Sequence, residues 1–358
     1  MAALSRRMFV SSFAGLLRGE LPQTALRRFR DPATEFEILR YTDPSTSSVL
    51  APAHLRSVSR GNSFIVFCSD RGGAFQLMSM GLRTGDTRQI TRFPEGLAPR
   101  TFWLTHDDRA VCCLHSGAVE QVPLGAGKLR TLYRAPAGWD LVEAAPFDLP
   151  GWFAVAERRS QRHRVRFVRT QTGTGETLFE SDDAIPLLRA RPRKLELLIG
   201  RARGLSLLQR DGRGPRDLSI TGRPGQALWS AGGNSLVYLS FPEQTGRLNE
   251  IREHLPESGD DKLVAPTSQF VTFARNTDAS VFAGVSGSKA SPHILLLLRS
   301  TRRELTVCEH RASVPAEVII FFTPDSQRVF YDSDREGKPA IYAVPADRLV
   351  EKTEEHET

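Results

Sequence analysis

One internal repeat constrains this chain more than anything else in it. Phe64-Ile-Val-Phe-Cys-Ser-Asp-Arg-Gly-Gly-Ala-Phe-Gln-Leu77 and Arg328-Val-Phe-Tyr-Asp-Ser-Asp-Arg-Glu-Gly-Lys-Pro-Ala-Ile341 share Ser-Asp-Arg-x-Gly in register. Asp70 and Asp334 are 334 − 70 = 264 positions apart, and six steps of 264/6 = 44 fall inside the blade period of a β-propeller. A strand core behind a polar turn recurs at about that spacing, at Ile65, Val111, Phe153, Leu197, Val237, Val281 and Val329. The turns include Thr105-His-Asp-Asp-Arg109, Ser230-Ala-Gly-Gly-Asn234, Asn276-Thr-Asp-Ala-Ser280 and Thr323-Pro-Asp-Ser-Gln327, whose residue types suit tight turns. They are weakest at Leu149-Pro-Gly151 and Arg191-Pro-Arg-Lys194. Seven anchors predict an all-β, seven-bladed propeller.

Within a blade, Phe75–Met80, the hairpin signal Thr84-Gly-Asp86 and Arg88–Thr91 read as successive antiparallel strands. The last blade runs short, into Pro345 and the charged tail Glu351–Thr358. Its missing outer strand has a donor in Thr34-Glu-Phe-Glu-Ile-Leu-Arg-Tyr-Thr42, so the ring is expected to close on an N-terminal strand, which pairs two edges that would otherwise invite aggregation. Gly and Pro recur too often for long helices.

The N-terminus reads differently. Ser5-Arg6-Arg7-x-Phe9, followed by a short weakly apolar stretch, resembles a bacterial twin-arginine export signal. The division is therefore residues 1–30 as signal and linker, 31–346 as propeller and 347–358 as tail, with an exported, periplasmic or extracellular destination. No run approaches the roughly 18 apolar residues that span a bilayer. Cys68, Cys112, Cys113 and Cys308 lack ligand or scaffold spacing and read as buried thiols.

At Ser69-Asp-Arg-Gly-Gly73, Thr84-Gly-Asp-Thr-Arg-Gln-Ile-Thr91 and Phe322-Thr-Pro-Asp325 with Ser333-Asp-Arg-Glu-Gly-Lys-Pro-Ala-Ile-Tyr342, the chain resembles the oligogalacturonate lyase family of propellers, within the TolB-like, WD40-like group. That resemblance implies β-elimination on acidic (uronate) oligosaccharides, with manganese held by histidines and a glutamine and another histidine as base. A cation would neutralise the developing enediolate while a base of near-neutral pKa takes the proton. The sequence departs from that pattern. Where a Gln-x-x-His-Pro-His run is implied stand Val314, Glu317 and Ile319, and the histidine implied in the preceding blade is Gln269. Gln269 and Glu317 are the remnant metal positions, and two oxygen donors do not make a manganese site. Where a His-Glu pair is implied, Pro242 stands beside Glu243.

His254 lies in the blade where the family keeps its base and is the candidate replacement, with Arg247 and Arg252 as candidate partners for substrate carboxylates. His54, His106, His115, His163, His293 and His310 stand singly. The net charge of +7 concentrates in Arg158, Arg159, Arg162, Arg164, Arg166 and Arg169 and again over 189–216, as for a polyanion binder. Nucleic acid is disfavoured by the export signal and by the absence of a recognisable binding module. Two partners are expected in turn: an acidic oligosaccharide, or an envelope protein or peptide bound by a non-catalytic, monomeric interaction propeller.

Overall fold

The computed structural model describes residues 26–211, 213–244 and 246–346. The twin-arginine-type segment and the charged tail lie outside the described residues. Seven antiparallel sheets follow one another around a ring: six of four strands, and a seventh of five. All seven anchors fall in the second strand of their blade and are 0–5% exposed. These second strands are buried between neighbouring blades, so they read as continuous apolar runs rather than as alternation. Val281–Ser286 is buried at every position. Its one glycine is needed there, because a Cβ on Gly284 would sit 2.2 Å from the Phe270 ring crossing it from the innermost strand.

Two of the turns before the anchors share one mechanism. In Thr105–Arg109 the Asp107 carboxylate accepts from Thr105 Oγ1 at 2.7 Å and from the Arg109 amide at 3.1 Å. Asp325 does the same for Thr323 and Gln327, at 2.6 and 3.1 Å. The residue after each aspartate takes the left-handed conformation, Asp108 at φ 59° and Ser326 at φ 61°. Where the sequence signal is weak, Arg193 still reaches φ 60°, with its amide held by the Asp148 carboxylate at 2.8 Å.

The shared Ser-Asp-Arg-x-Gly element also has a structural meaning. It forms the hairpin between second and third strands in blades one and seven. Asp70 accepts from the Ser47 amide at 2.7 Å, and Asp334 from the Ser313 amide at 2.9 Å. Each carboxylate ties its hairpin to the chain entering its own blade.

Blade seven is built from both ends of the described chain. Its order is Ile320–Phe322, Arg328–Ser333, Ala340–Pro345, Glu37–Arg40 and Arg27–Arg30, counted outward. Leu39 pairs with Ala343 and Arg40 with Tyr342. Ile38, Leu39 and Tyr41 of this clasp are buried. Arg27–Arg30, expected to belong to the linker, instead adds a fifth strand, with Phe29 opposite Ile38 and three arginines on the exposed edge.

Blade one departs from regularity in a way that shapes the channel. Val49 pairs with Cys68 and Val58 with Ile65. One side of the pair thus advances 58 − 49 = 9 residues while the other advances 68 − 65 = 3, leaving six extra residues. This excursion, 50–57, lies across the ring: the Leu50 amide donates to Asp332 of blade seven at 3.0 Å, Ala53 packs against the cluster of blades five and six, and His54 reaches blade three. Asp332, 2% exposed, also accepts from the Ile319 amide at 2.9 Å and from Arg100 Nη1 at 2.7 Å. The excursion therefore crosses the ring and its residues 53–57 line the lower mouth, where the innermost strands end; the upper mouth lies where those strands begin.

Candidate functional site at the two channel mouths

The resemblance directs attention to the upper mouth. Gln269 immediately precedes the innermost strand Phe270–Arg275, and its Oε1 accepts from Ser286 Oγ at 2.5 Å. Glu317 ends the 3-10 turn Pro315–Glu317, which packs against blade six, and is exposed. Val314 is exposed, and Ile319 is half-buried just before the next strand. The remnant donors are thus one carboxylate and one amide already engaged by a hydroxyl. Among the described residues no group of three or more His, Cys, Asp and Glu side chains is placed to hold a metal. The donor set does not fit manganese.

The blade-five candidates separate. Arg247, exposed, lies in the loop between Leu236–Phe241 and Asn249–His254, on the upper side. Arg252 is taken up by its own blade, with Nε 2.8 Å from Asp261 and Nη1 2.9 Å from Glu250. His254 is 1% exposed, at the lower end of a third strand, two strands out from the channel. Its Nδ1 lies 3.9 Å from Asp261, which also accepts from Tyr238 Oη at 2.9 Å. Burial holds His254 below the usual imidazole range, with Asp261 opposing. These two side chains belong to an internal network, and neither is brought to Gln269 or Glu317.

Other residues do line the upper face. In blade three, Trp139 precedes the innermost strand Asp140–Pro146, opposite the hairpin Arg159–Arg162. The guanidinium carbons of Arg159 and Arg164 lie 4.8 and 3.7 Å from its ring centroid. Arg164 is anchored on the buried Glu157 at 2.5 Å, and Glu157 also takes Tyr133 Oη at 2.5 Å. Arg158 and Arg162 remain more than half exposed, with carboxylates at 3.6 and 3.0 Å. A cleft of about 480 Å³ lies alongside, lined by His115, Leu97, Leu141 and Glu95.

The lower mouth holds a cavity of about 400 Å³, walled largely by apolar side chains. The excursion of blade one brings His54 to 3.7 Å from Glu143, which Arg189 holds at 2.5 Å. Burial, reinforced by Arg189, keeps the His54 imidazole neutral, well below its ordinary range. Burial also pushes Glu143 up and Arg189 down, each opposed by the other. Nothing in the sequence spacing marks His54, because its neighbours come from other blades. This deep cavity and the positions implied by the resemblance lie at opposite mouths: Phe270–Arg275 runs from one to the other, about 20 Å at roughly 3.3 Å per residue.

No protein-family model matches this chain, and no curated protein sequence does. Solved structures do. An oligogalacturonate lyase in complex with manganese matches with a TM-score of 0.84 at 18% identity, over 89% of this chain and 96% of that one. The oligogalacturonate lyase of Vibrio parahaemolyticus gives 0.83 at 17%, with the same coverages of 89% and 96%. The structure of U3-55K gives 0.61 at 12%, over 88% of this chain and 100% of that one. Identities this low carry the fold and not the chemistry, and in fold this chain resembles the oligogalacturonate lyases along nearly its whole described length.

Proposed function

We propose that this protein is an exported propeller that binds acidic oligosaccharides at its upper mouth without manganese. The observation that carries the reading is the arginine–tryptophan surface of blade three, where Trp139 is flanked by Arg159 and Arg164 with Arg158 and Arg162 beside it. The Trp139 ring is stacked with these guanidinium groups and holds them at the surface, and guanidinium groups pair with carboxylates in bidentate fashion. Likeness in fold to oligogalacturonate lyases supports the ligand class. The donor set at Gln269 and Glu317 argues against the metal-assisted step.

Titration of the purified protein with oligogalacturonates, with and without manganese, tests this. Binding is expected to be independent of manganese, to weaken with salt, and to fall about tenfold in Arg158→Glu/Arg162→Glu, a loss of about 1.4 kcal/mol. Unchanged affinity in the double variant would refute the site. Absorbance from a new C=C bond that appears only with manganese would refute the non-catalytic reading.

A further inference from the structure

We propose that the lower-mouth cavity is a second, separate binding site, for a small apolar monocarboxylate. The first support is a concentration of unpaired buried polar atoms. His54 Nε2, Ser57 Oγ and Trp229 Nε1 lack hydrogen-bond partners among the described residues, and all three residues line this one cavity. Ser57 is 2% and Trp229 8% exposed, so neither side chain is satisfied by open solvent. Buried donors and acceptors are normally paired, and such a cluster around a hollow is where a bound ligand or ordered water supplies the partners. The indole N–H only donates, so the ligand must bring an acceptor.

The second support is charge. Three guanidinium groups line the cavity, and two are neutralised: Arg56 by Asp108, and Arg189 by Glu143. Arg275 has no ion pair among the described residues. It donates to backbone oxygens only, Trp229 O at 2.9 and 2.6 Å and the carbonyls of Asn276 and Thr277 at 2.9 Å each. The nearby Asp278 directs its carboxylate to Ser280. With His54 neutral, Arg275 is the one guanidinium of the cavity that no carboxylate bonds directly among the described residues, Asp278 acting on it only from a distance, and the cavity suits a single anion. The third support is shape. Leu55, Val58, Leu228, Phe321 and Phe322 dominate the wall, and a mostly apolar pocket with a few convergent polar groups is the usual form of a small-molecule site. A polyhydroxylated sugar acid would leave its hydroxyls unpaired there, whereas an aromatic or short branched acid would not. This lining shares no residue with the arginine–tryptophan surface of blade three, so the site stands apart from the upper-mouth reading.

Calorimetry and thermal melting with phenylacetate, its neutral analogue phenylacetamide, and galacturonate decide the matter. Phenylacetate is expected to bind and to raise Tm, with the other two at least about tenfold weaker. Trp229→Phe and Ser57→Ala should each weaken phenylacetate about five- to tenfold. Ser57→Ala, which removes only an unpaired buried hydroxyl, should melt no lower than wild type, while Trp229→Phe also loses packed ring volume and should melt somewhat lower. Should Trp229→Phe fail to fold, Ser57→Ala makes the same comparison. Arg158→Glu/Arg162→Glu must leave phenylacetate binding unchanged. The proposal is overturned if phenylacetamide or galacturonate binds equally well, if both cavity variants bind like wild type, or if phenylacetate does not saturate below about 10 mM, leaving a cavity filled by water alone.

Discussion

Tyr41 offers the sharpest test of how the ring is closed. Its side chain is 2% exposed, its ring centroid lies 5.2 Å from that of Phe330, and its hydroxyl accepts from Arg328 Nη1 at 3.1 Å. Its amide donates to Ile341 O at 2.8 Å, so the backbone is in register with blade seven. Tyr41→Ala removes a large aromatic from a filled interior, which costs about 3–5 kcal/mol, and the lost hydroxyl contact adds about 1 kcal/mol. Against total stabilities of about 5–15 kcal/mol, that is a third of the margin or most of it. Tyr41→Phe keeps the ring and should cost only about 1 kcal/mol. Urea unfolding followed by tryptophan fluorescence measures both, with light scattering to detect association through the loosened edge at Ala340–Pro345. If Tyr41→Ala costs less than about 1 kcal/mol at unchanged m-value, the segment is not packed into the last blade and the clasp is wrong.

Two further predictions concern stability. His310 is wholly buried, its Nε2 bonded to Ser286 O at 2.9 Å and its Nδ1 accepting from the Ala312 amide at 3.0 Å. The Nδ1 contact needs the neutral ring, whereas Nε2–H donates to the carbonyl in either form, and burial lowers the pKa to about 4 against the pull of that Nε2 contact. The unfolded chain then binds more protons between that value and about 6.5, so stability present above pH 6.5 should fall by about 3 kcal/mol as pH drops to 4. His54 and His254, lowered by the same cause, act in the same direction, and His310→Gln should flatten part of this acid limb in melting curves against pH. Asp70→Ala and Asp334→Ala should destabilise by similar amounts, about 1.5–3 kcal/mol each in chemical denaturation, because each removes a charged acceptor from a backbone amide. A large effect at one and none at the other would show that the repeat is not structural.

Legibility in the sequence followed the range of the physics. The anchors were readable because the second strands are buried on both sides and turns such as Thr105–Arg109 and Thr323–Gln327 are local hydrogen-bonded units. The turn before Leu197, whose Arg193 amide is held by the distant Asp148, reads weakly for that reason. The clasp was readable because Thr34–Thr42 is strand-like and the last blade lacked a strand. Arg27–Arg30 was not, since three arginines in four residues look like a basic tail until Phe29 is seen opposite Ile38. The excursion 50–57 was hidden too: Leu50-Ala-Pro-Ala-His-Leu-Arg-Ser57 reads as an ordinary loop, and only the pairings of Val49 and Val58 reveal its extra length. The same holds for His54, Glu143 and Arg189, three residues from three blades. His254 and Arg252 were singled out by blade, yet strand position within the blade decides what faces the channel, and theirs is the third.

The pairing of Leu39 with Ala343 joins positions 343 − 39 = 304 residues apart. During synthesis the first partner leaves the ribosome long before the second exists. Six blades must wait as an open arc, with the innermost edge of one end and the clasp strand at the other both unpaired. Such long-range closure is slow, and waiting edges are sticky. For this molecule the hazardous interval is therefore set by translation speed near the 3′ end of its message, and synonymous codons there should influence how much protein is recovered in soluble form.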